Sequence, residues 1–126
     1  MKKIIYTPDA PAAIGTYNQA VEINGFIYTS GQIGIEPGTG RLVDGGMKEQ
    51  TMRVLNNIDA ILTAAGLDNT SIIKLTVFLT DLEGFGHVND AFRSYFGDVD
   101  FPARSTVEVS GLPLGAMVEI ECIASR

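Results

Sequence analysis

Residues 71–80 read SIIKLTVFLT, a short apolar run rich in β-branched and aromatic side chains with no Gly or Pro inside it. Such a run is too short for a buried helix and matches a buried strand. On its N-terminal side, Met47, Thr51, Val54, Leu55, Ile58, Ile61, Leu62 and Ala65 recur at helical spacing, and Gly66 is placed to end that helix. On its C-terminal side, Val88, Ala91, Phe92, Tyr95 and Phe96 mark a second, shorter helix. A strand held between two amphipathic helices calls for a sheet that both helices can cover.

Working outward, residues 2–6, 18–24 and 26–33 read as strands, with Asn24-Gly25 as a two-residue hairpin turn between the last two. The segment IEPGTGRLVDGG is turn-rich. Two final strands fall at about 104–110 and 117–124. The order β-β-β-α-β-α-β-β predicts an α+β fold, one mixed six-stranded sheet with both helices on one face, in a single domain over 1–126. In FPARSTVEV, Ser105, Val107 and Val109 point one way and Arg104, Thr106 and Glu108 the other. In VEIECIA, Val118, Ile120 and Cys122 share a face opposite Glu119 and Glu121. This alternation predicts charged and small polar groups on the side away from the helices.

The 126 residues suit one core, and 45% apolar with 19% charged residues is the balance of a globular chain. A net charge of −6 argues against binding nucleic acid, whose phosphates demand a basic surface. No apolar run approaches the roughly 20 residues of a membrane span. The N-terminal MKKIIYTPDA lacks the pattern of a secretory signal, and a lone Cys122 beside a lone His87 supplies neither a disulfide nor a metal-ligand set. These features predict a cytoplasmic protein without a structural metal.

The candidate chemistry is scattered. Arg104 could present its planar fork to a carboxylate, although spacing alone favours a solvated or ion-paired arginine. Glu119 and Glu121 are solvated strand charges or, near Arg104, a proton acceptor. Ser30 beside Gly31 could approach a ligand or simply form a turn. Tyr17 could lid a small substrate or pack as a core ring. Asn89 suggests a cap or a loop tether, and His87 a surface residue.

The run FPARSTVEVSGLPLGAMVEIECIAS, with its Pro-Ala-Arg-Ser, Val-Glu-Val, Leu-Pro and Val-Glu-Ile-Glu elements in order, strongly resembles the signature of the RidA (reactive intermediate/imine deaminase A) family, also known as the YjgF-type or L-PSP endoribonuclease-like family. The similarity extends to APAAIGTYNQA, YTSGQIG, the helix with KEQT and NN, TVFLTDLEGF and VNDAF. It implies a chorismate-mutase-like fold and a homotrimer with an inner β-barrel and ligand clefts between subunits. It also implies hydrolysis of 2-aminoacrylate or 2-iminobutanoate, released by pyridoxal-phosphate-dependent dehydratases, to 2-oxo acid and ammonia, with no cofactor. Carried over residue by residue, Arg104 matches the carboxylate-binding arginine and Glu119 the residue that positions or activates water. Tyr17 and Ser30 match pocket residues that close over or hydrogen-bond the ligand, and Asn89 and Gly31 match positions lining the cleft. Thr106 stands where cysteine is frequent and offers its backbone amide and carbonyl. Thr16, Ala20, Gly111 and Leu114-Gly115 also depart from the common pattern, which bears on the Tyr17 loop and on the charge near the cleft. A small-carboxylate-binding regulatory module without turnover, or an endoribonuclease or translation inhibitor, are the alternative functions; the acidity weighs against the latter.

Overall fold

A computed structural model describes all 126 residues. Its strands are β1 (Lys3–Ile5), β2 (Ala20–Ile23), β3 (Phe26–Thr29), β4 (Ile35–Glu36), β5 (Arg41–Leu42), β6 (Ile72–Leu79), β7 (Ala103–Glu108) and β8 (Val118–Ser125); the helices are α1 (Met47–Ala64) and α2 (Phe85–Phe96). Six strands form one sheet in the order β1-β2-β3-β8-β6-β7. All neighbours are antiparallel except β6 and β7, which run parallel because α2 carries the chain back between them.

Local chemistry explains the boundaries. Asn24 and Gly25 both take positive φ, 53° and 81°, which is the geometry of a two-residue turn whose twist matches the strands it joins. Helix α1 starts at Gly46, whose N–H donates to Glu49 Oε1 at 2.7 Å. It stops at Gly66, which takes φ of 77° at no steric cost, while Gly66 N–H donates to Thr63 O and Leu67 N–H reaches back to Leu62 O at 2.8 Å. Arg126 then closes the same end: Nη2 donates to Ala65 O at 2.7 Å, while Nε and Nη2 clasp the Glu22 carboxylate at 2.7 and 3.0 Å.

The ribbon of β4 and β5 was not expected from the turn-rich segment. Two residues per strand carry no periodicity, and the ribbon depends on a distant helix: Asn57 of α1 donates its Nδ2 to Ile33 O and Ile35 O at 3.2 and 2.9 Å. The strand expected over 26–33 also ends early, at Thr29, after which Gln32 makes an isolated bridge to Ile120.

Register determines which side chains share a face. Leu75, Val77 and Leu79 of β6 pair with Cys122, Ile120 and Val118 of β8, and all six lie in one buried cluster with Val54, Leu55, Ile58, Ile61 and Leu62 of α1 and Val88, Phe92 and Phe96 of α2. Each large side chain so buried contributes roughly 1.5–3 kcal/mol. The opposite sheet face has no such cover within the chain: Ile4, Ile23, Phe26, Tyr28 and Val107 remain exposed there.

The expected sorting of polar groups holds for β8 and reverses for β7. Arg104 pairs with Leu75 and Thr106 with Val77, so both point to the helix side, while Ser105 and Val107 pair with Thr76 and Phe78 on the open face. The reason is α2, whose first turns offer the end strand β7 an aromatic surface that takes up an arginine stem and guanidinium. No helix is long and apolar enough to cross a membrane.

Candidate functional site

Two half-sites emerge, on opposite faces of the sheet. The first is built on Arg104, at the sheet edge. Its Nη2 donates to Asn89 Oδ1 at 2.8 Å, and its guanidinium carbon lies 4.9 Å from the ring centroids of both Phe85 and Phe92. Asn89 thus sits in the second turn of α2 as a tether for Arg104; the helix N-cap is Gly84, and Asn89 caps nothing. The chain has two ion pairs, Arg93 with Asp90 and Arg126 with Glu22, so Arg104 has no carboxylate partner. Desolvation pulls its pKa down from the ordinary arginine value. A cavity of about 310 Å³ opens beside it, lined also by Asn89, Phe92, Arg93, Phe101 and Pro102. A half-buried cation with vacant donors facing a cavity is arranged to receive a planar anion.

Thr106, two residues on, turns its side chain the same way, and its Oγ1 is buried without a hydrogen-bond partner. It does not line the Arg104 cavity.

The second half-site is built on Glu119, on the open face of β8. A cavity of about 210 Å³ brings Glu119 together with Tyr17, Gly31, Ile33 and Pro113. Burial raises the Glu119 pKa above the usual carboxylate range, and the charge of Glu121 adds to the shift. Gly31 lies directly under this carboxylate: a Cβ there would fall 2.8 Å from Glu119 Cδ and closer still to Oε2. Gly31→Ala is therefore expected to displace the carboxylate while sparing the fold, since the displaced group is the free end of a side chain. A fall in turnover of about a hundredfold with an unchanged melting temperature is the expected result; assay beside thermal denaturation checks it.

Ser30 and Tyr17 are held by their own loop. Ser30 Oγ donates to Asn18 O at 2.6 Å, which commits its proton and leaves only lone pairs for a ligand. The exposed Tyr17 accepts at its hydroxyl from Ile14 N–H at 3.3 Å. Gln19 was not anticipated. It is buried, its Oε1 accepts from Thr7 N–H at 2.8 Å, and its Nε2 faces the carbonyls of Thr7, Ala10 and Pro11 at 3.0, 3.3 and 2.9 Å. One amide thereby anchors the segment that carries Tyr17, and only burial, invisible in the spacing, marks it. His87 is exposed, as expected.

The half-sites do not meet within one chain. Arg104 is level with Leu75 and Glu119 with Phe78, three residues along and two strands across, so their Cα atoms stand about 14 Å apart with side chains on opposite faces.

Comparison with known proteins supplies the family. The family model described as Endoribonuclease L-PSP matches residues 7–126. A bovine (Bos taurus) protein named 2-iminobutanoate/2-iminopropanoate deaminase is 50% identical over 98% of this chain and 90% of its own. The crystal structure of a Rid-family protein from Yersinia pestis superposes with a TM-score of 0.97 at 52% identity, covering 100% of both chains. That of E. coli TdcF with bound serine does so at 0.94 and 43%, covering 98% of each. Sequence signature, sheet order and full-length matches agree: the chain belongs to the endoribonuclease L-PSP family, the Rid family of imine deaminases.

Proposed function

We propose that this protein hydrolyses short 2-imino acids and their enamine tautomers, such as 2-iminobutanoate and 2-aminoacrylate, to 2-oxo acids and ammonia. The observation that carries the reading is Arg104, a desolvated guanidinium with no carboxylate of its own beside an open cavity. The bovine relative's name gives the substrates, and TdcF, crystallised with serine, binds a molecule with the α-carboxylate that Arg104 would take.

In this reading Arg104 grips the substrate carboxylate through two parallel N–H···O bonds and so fixes the C=N carbon. Glu119, ionised, accepts a proton from water as its oxygen bonds to that carbon. That proton is returned to nitrogen, giving the carbinolamine. Glu119 then takes the hydroxyl proton and passes it to nitrogen as C=O forms and the C–N bond breaks, and ammonia leaves with the 2-oxo acid. Imines hydrolyse unaided in water, so positioning and two proton transfers through one carboxylate account for the chemistry asked of these residues.

Both groups can reach one substrate only if they come from different copies of the chain. The uncovered apolar residues Ile4, Ile23, Phe26, Tyr28 and Val107 favour this, because an open sheet face of that kind is stabilised by burial against like faces. A homotrimer with these faces turned inward as a barrel, and an Arg104 half-site meeting a neighbour's Glu119 half-site in each cleft, satisfies both. Pyridoxal-phosphate-dependent serine and threonine dehydratases would supply the substrates. RNA is disfavoured as a substrate by the net charge of −6.

The test is release of 2-oxobutanoate and ammonia when threonine dehydratase generates 2-iminobutanoate in situ. Acceleration over the protein-free blank is expected. A rate equal to the blank would leave a protein that at most binds small carboxylates.

A further inference from the structure

We infer that Phe85 and Phe92 are positioning residues for carboxylate recognition, forming an aromatic vise that holds the Arg104 guanidinium with its fork unoccupied. The inference rests on the reading of Arg104 as the carboxylate anchor.

Phe85, Asn89 and Phe92 stand at i, i+4 and i+7 on α2, on one helical stripe facing β7. The Phe85 and Phe92 Cα atoms are two turns apart, roughly 10.5 Å along the axis, and their rings converge on Arg104. The guanidinium carbon lies over both rings, 4.9 Å from each centroid. This arrangement solves a specific problem. A half-buried cation needs compensating negative potential, and the usual source, a carboxylate, would occupy the very N–H groups a substrate must use. The two ring faces supply that potential and consume no donor. Asn89 takes one N–H at the edge, which fixes rotation, and the remaining donors stay free for a ligand.

The outer jaw is itself anchored from β7. Glu108, four residues beyond Arg104 and on the same face, accepts from Leu82 N–H at 2.9 Å through Oε1. That bond fixes the short turn Leu82–Gly84, which leads directly into Phe85. The two jaws differ in burial: Phe92 is 4% exposed and belongs to the core, whereas Phe85 is 41% exposed. Phe85 can therefore be altered without opening a core cavity, and it carries the test.

The experiment measures binding of 2-oxobutanoate by calorimetry and the kinetics of 2-iminobutanoate hydrolysis for wild type, Phe85→Leu, Phe85→Tyr and Arg104→Ala. Phe85→Leu keeps apolar bulk and removes the π face. It is expected to weaken 2-oxobutanoate binding and raise KM by about threefold to tenfold. Its kcat should stay within about twofold of wild type, while Phe85→Tyr binds as wild type does. A purely structural role would instead lower the melting temperature and move kcat with KM. Phe85→Leu that binds like wild type, or Leu and Tyr variants equally impaired, would overturn the vise and leave the anchor intact. Equal binding by wild type and Arg104→Ala would overturn the anchor, and the vise with it.

Discussion

Arg104→Ala is expected to lower kcat/KM for 2-iminobutanoate by about 100- to 1,000-fold, equivalent to roughly 3–4 kcal/mol of lost transition-state stabilisation. The size follows from what is removed. A carboxylate received by a desolvated guanidinium gains two charge-assisted bonds in a place where water cannot substitute for them, and without the guanidinium it must shed its hydration for nothing. Arg104→Lys should recover little, because a point ammonium cannot form two parallel bonds and does not fill the space between the Phe85 and Phe92 rings as a planar group does. Folding should lose only the Asn89 hydrogen bond and the ring contacts, about 1–2 kcal/mol, since Arg104 has no ion pair to lose. Steady-state kinetics beside thermal denaturation separates the two effects; activity retained by Arg104→Ala would remove the anchor from the mechanism.

Glu119→Gln should produce a loss of similar size by a different route: kcat falls by about 100- to 1,000-fold with KM little changed, because the carboxylate moves a proton and does not hold the substrate. Its pH dependence is also specified. Burial and the neighbouring Glu121 raise the Glu119 pKa, so the wild-type rate should fall on the acid side along a limb above the ordinary carboxylate range, and Glu119→Gln should lack that limb. Stability carries the same sign. A carboxyl whose pKa is raised on folding binds its proton more tightly in the folded chain, so its contribution is complete below the unfolded pKa and is lost as pH rises through the folded pKa. Glu119→Gln should accordingly gain stability relative to wild type between those two values and above them, with no gain at lower pH. Melting temperatures measured from acid to neutral pH check this; a parallel offset at every pH would contradict it.

Much of this fold was legible because local chemistry and global packing agree. Asn24-Gly25 can form the hairpin turn cheaply, Gly66 can close α1, and SIIKLTVFLT has no comfortable place except inside a sheet. Where the reading went astray, the two levels disagree. In β7 the apolar Val107 belongs to the open face and Arg104 to the helix side. Alternation reveals two faces but not which is inward, and the deciding partner is the Phe85, Asn89 and Phe92 stripe of α2. That stripe is visible in the sequence once Arg104 is asked what it packs against. The ribbon of β4 and β5 was out of reach, since it hangs on Asn57, more than twenty residues away. Gln19 was missed for the same reason: its partners are backbone carbonyls, which leave no mark in composition. Of the residues carried over from the family resemblance, Arg104 and Asn89 fall in one half-site and Tyr17, Gly31 and Glu119 in the other, while Ser30 and Thr106 line neither cavity. Their division between two sheet faces depends on strand order and register, which spacing does not encode.

The central claim is that catalysis needs an Arg104 half-site from one chain and a Glu119 half-site from another. Subunit complementation tests it directly: Arg104→Ala and Glu119→Gln chains, each inactive alone, are unfolded together, refolded as a mixture and assayed. If each site joins two chains, random mixing in equal amounts makes about one junction in four wild type at both positions, and about a quarter of wild-type activity should return. If the mixture stays as inactive as its components, each site lies within a single chain and the account is wrong.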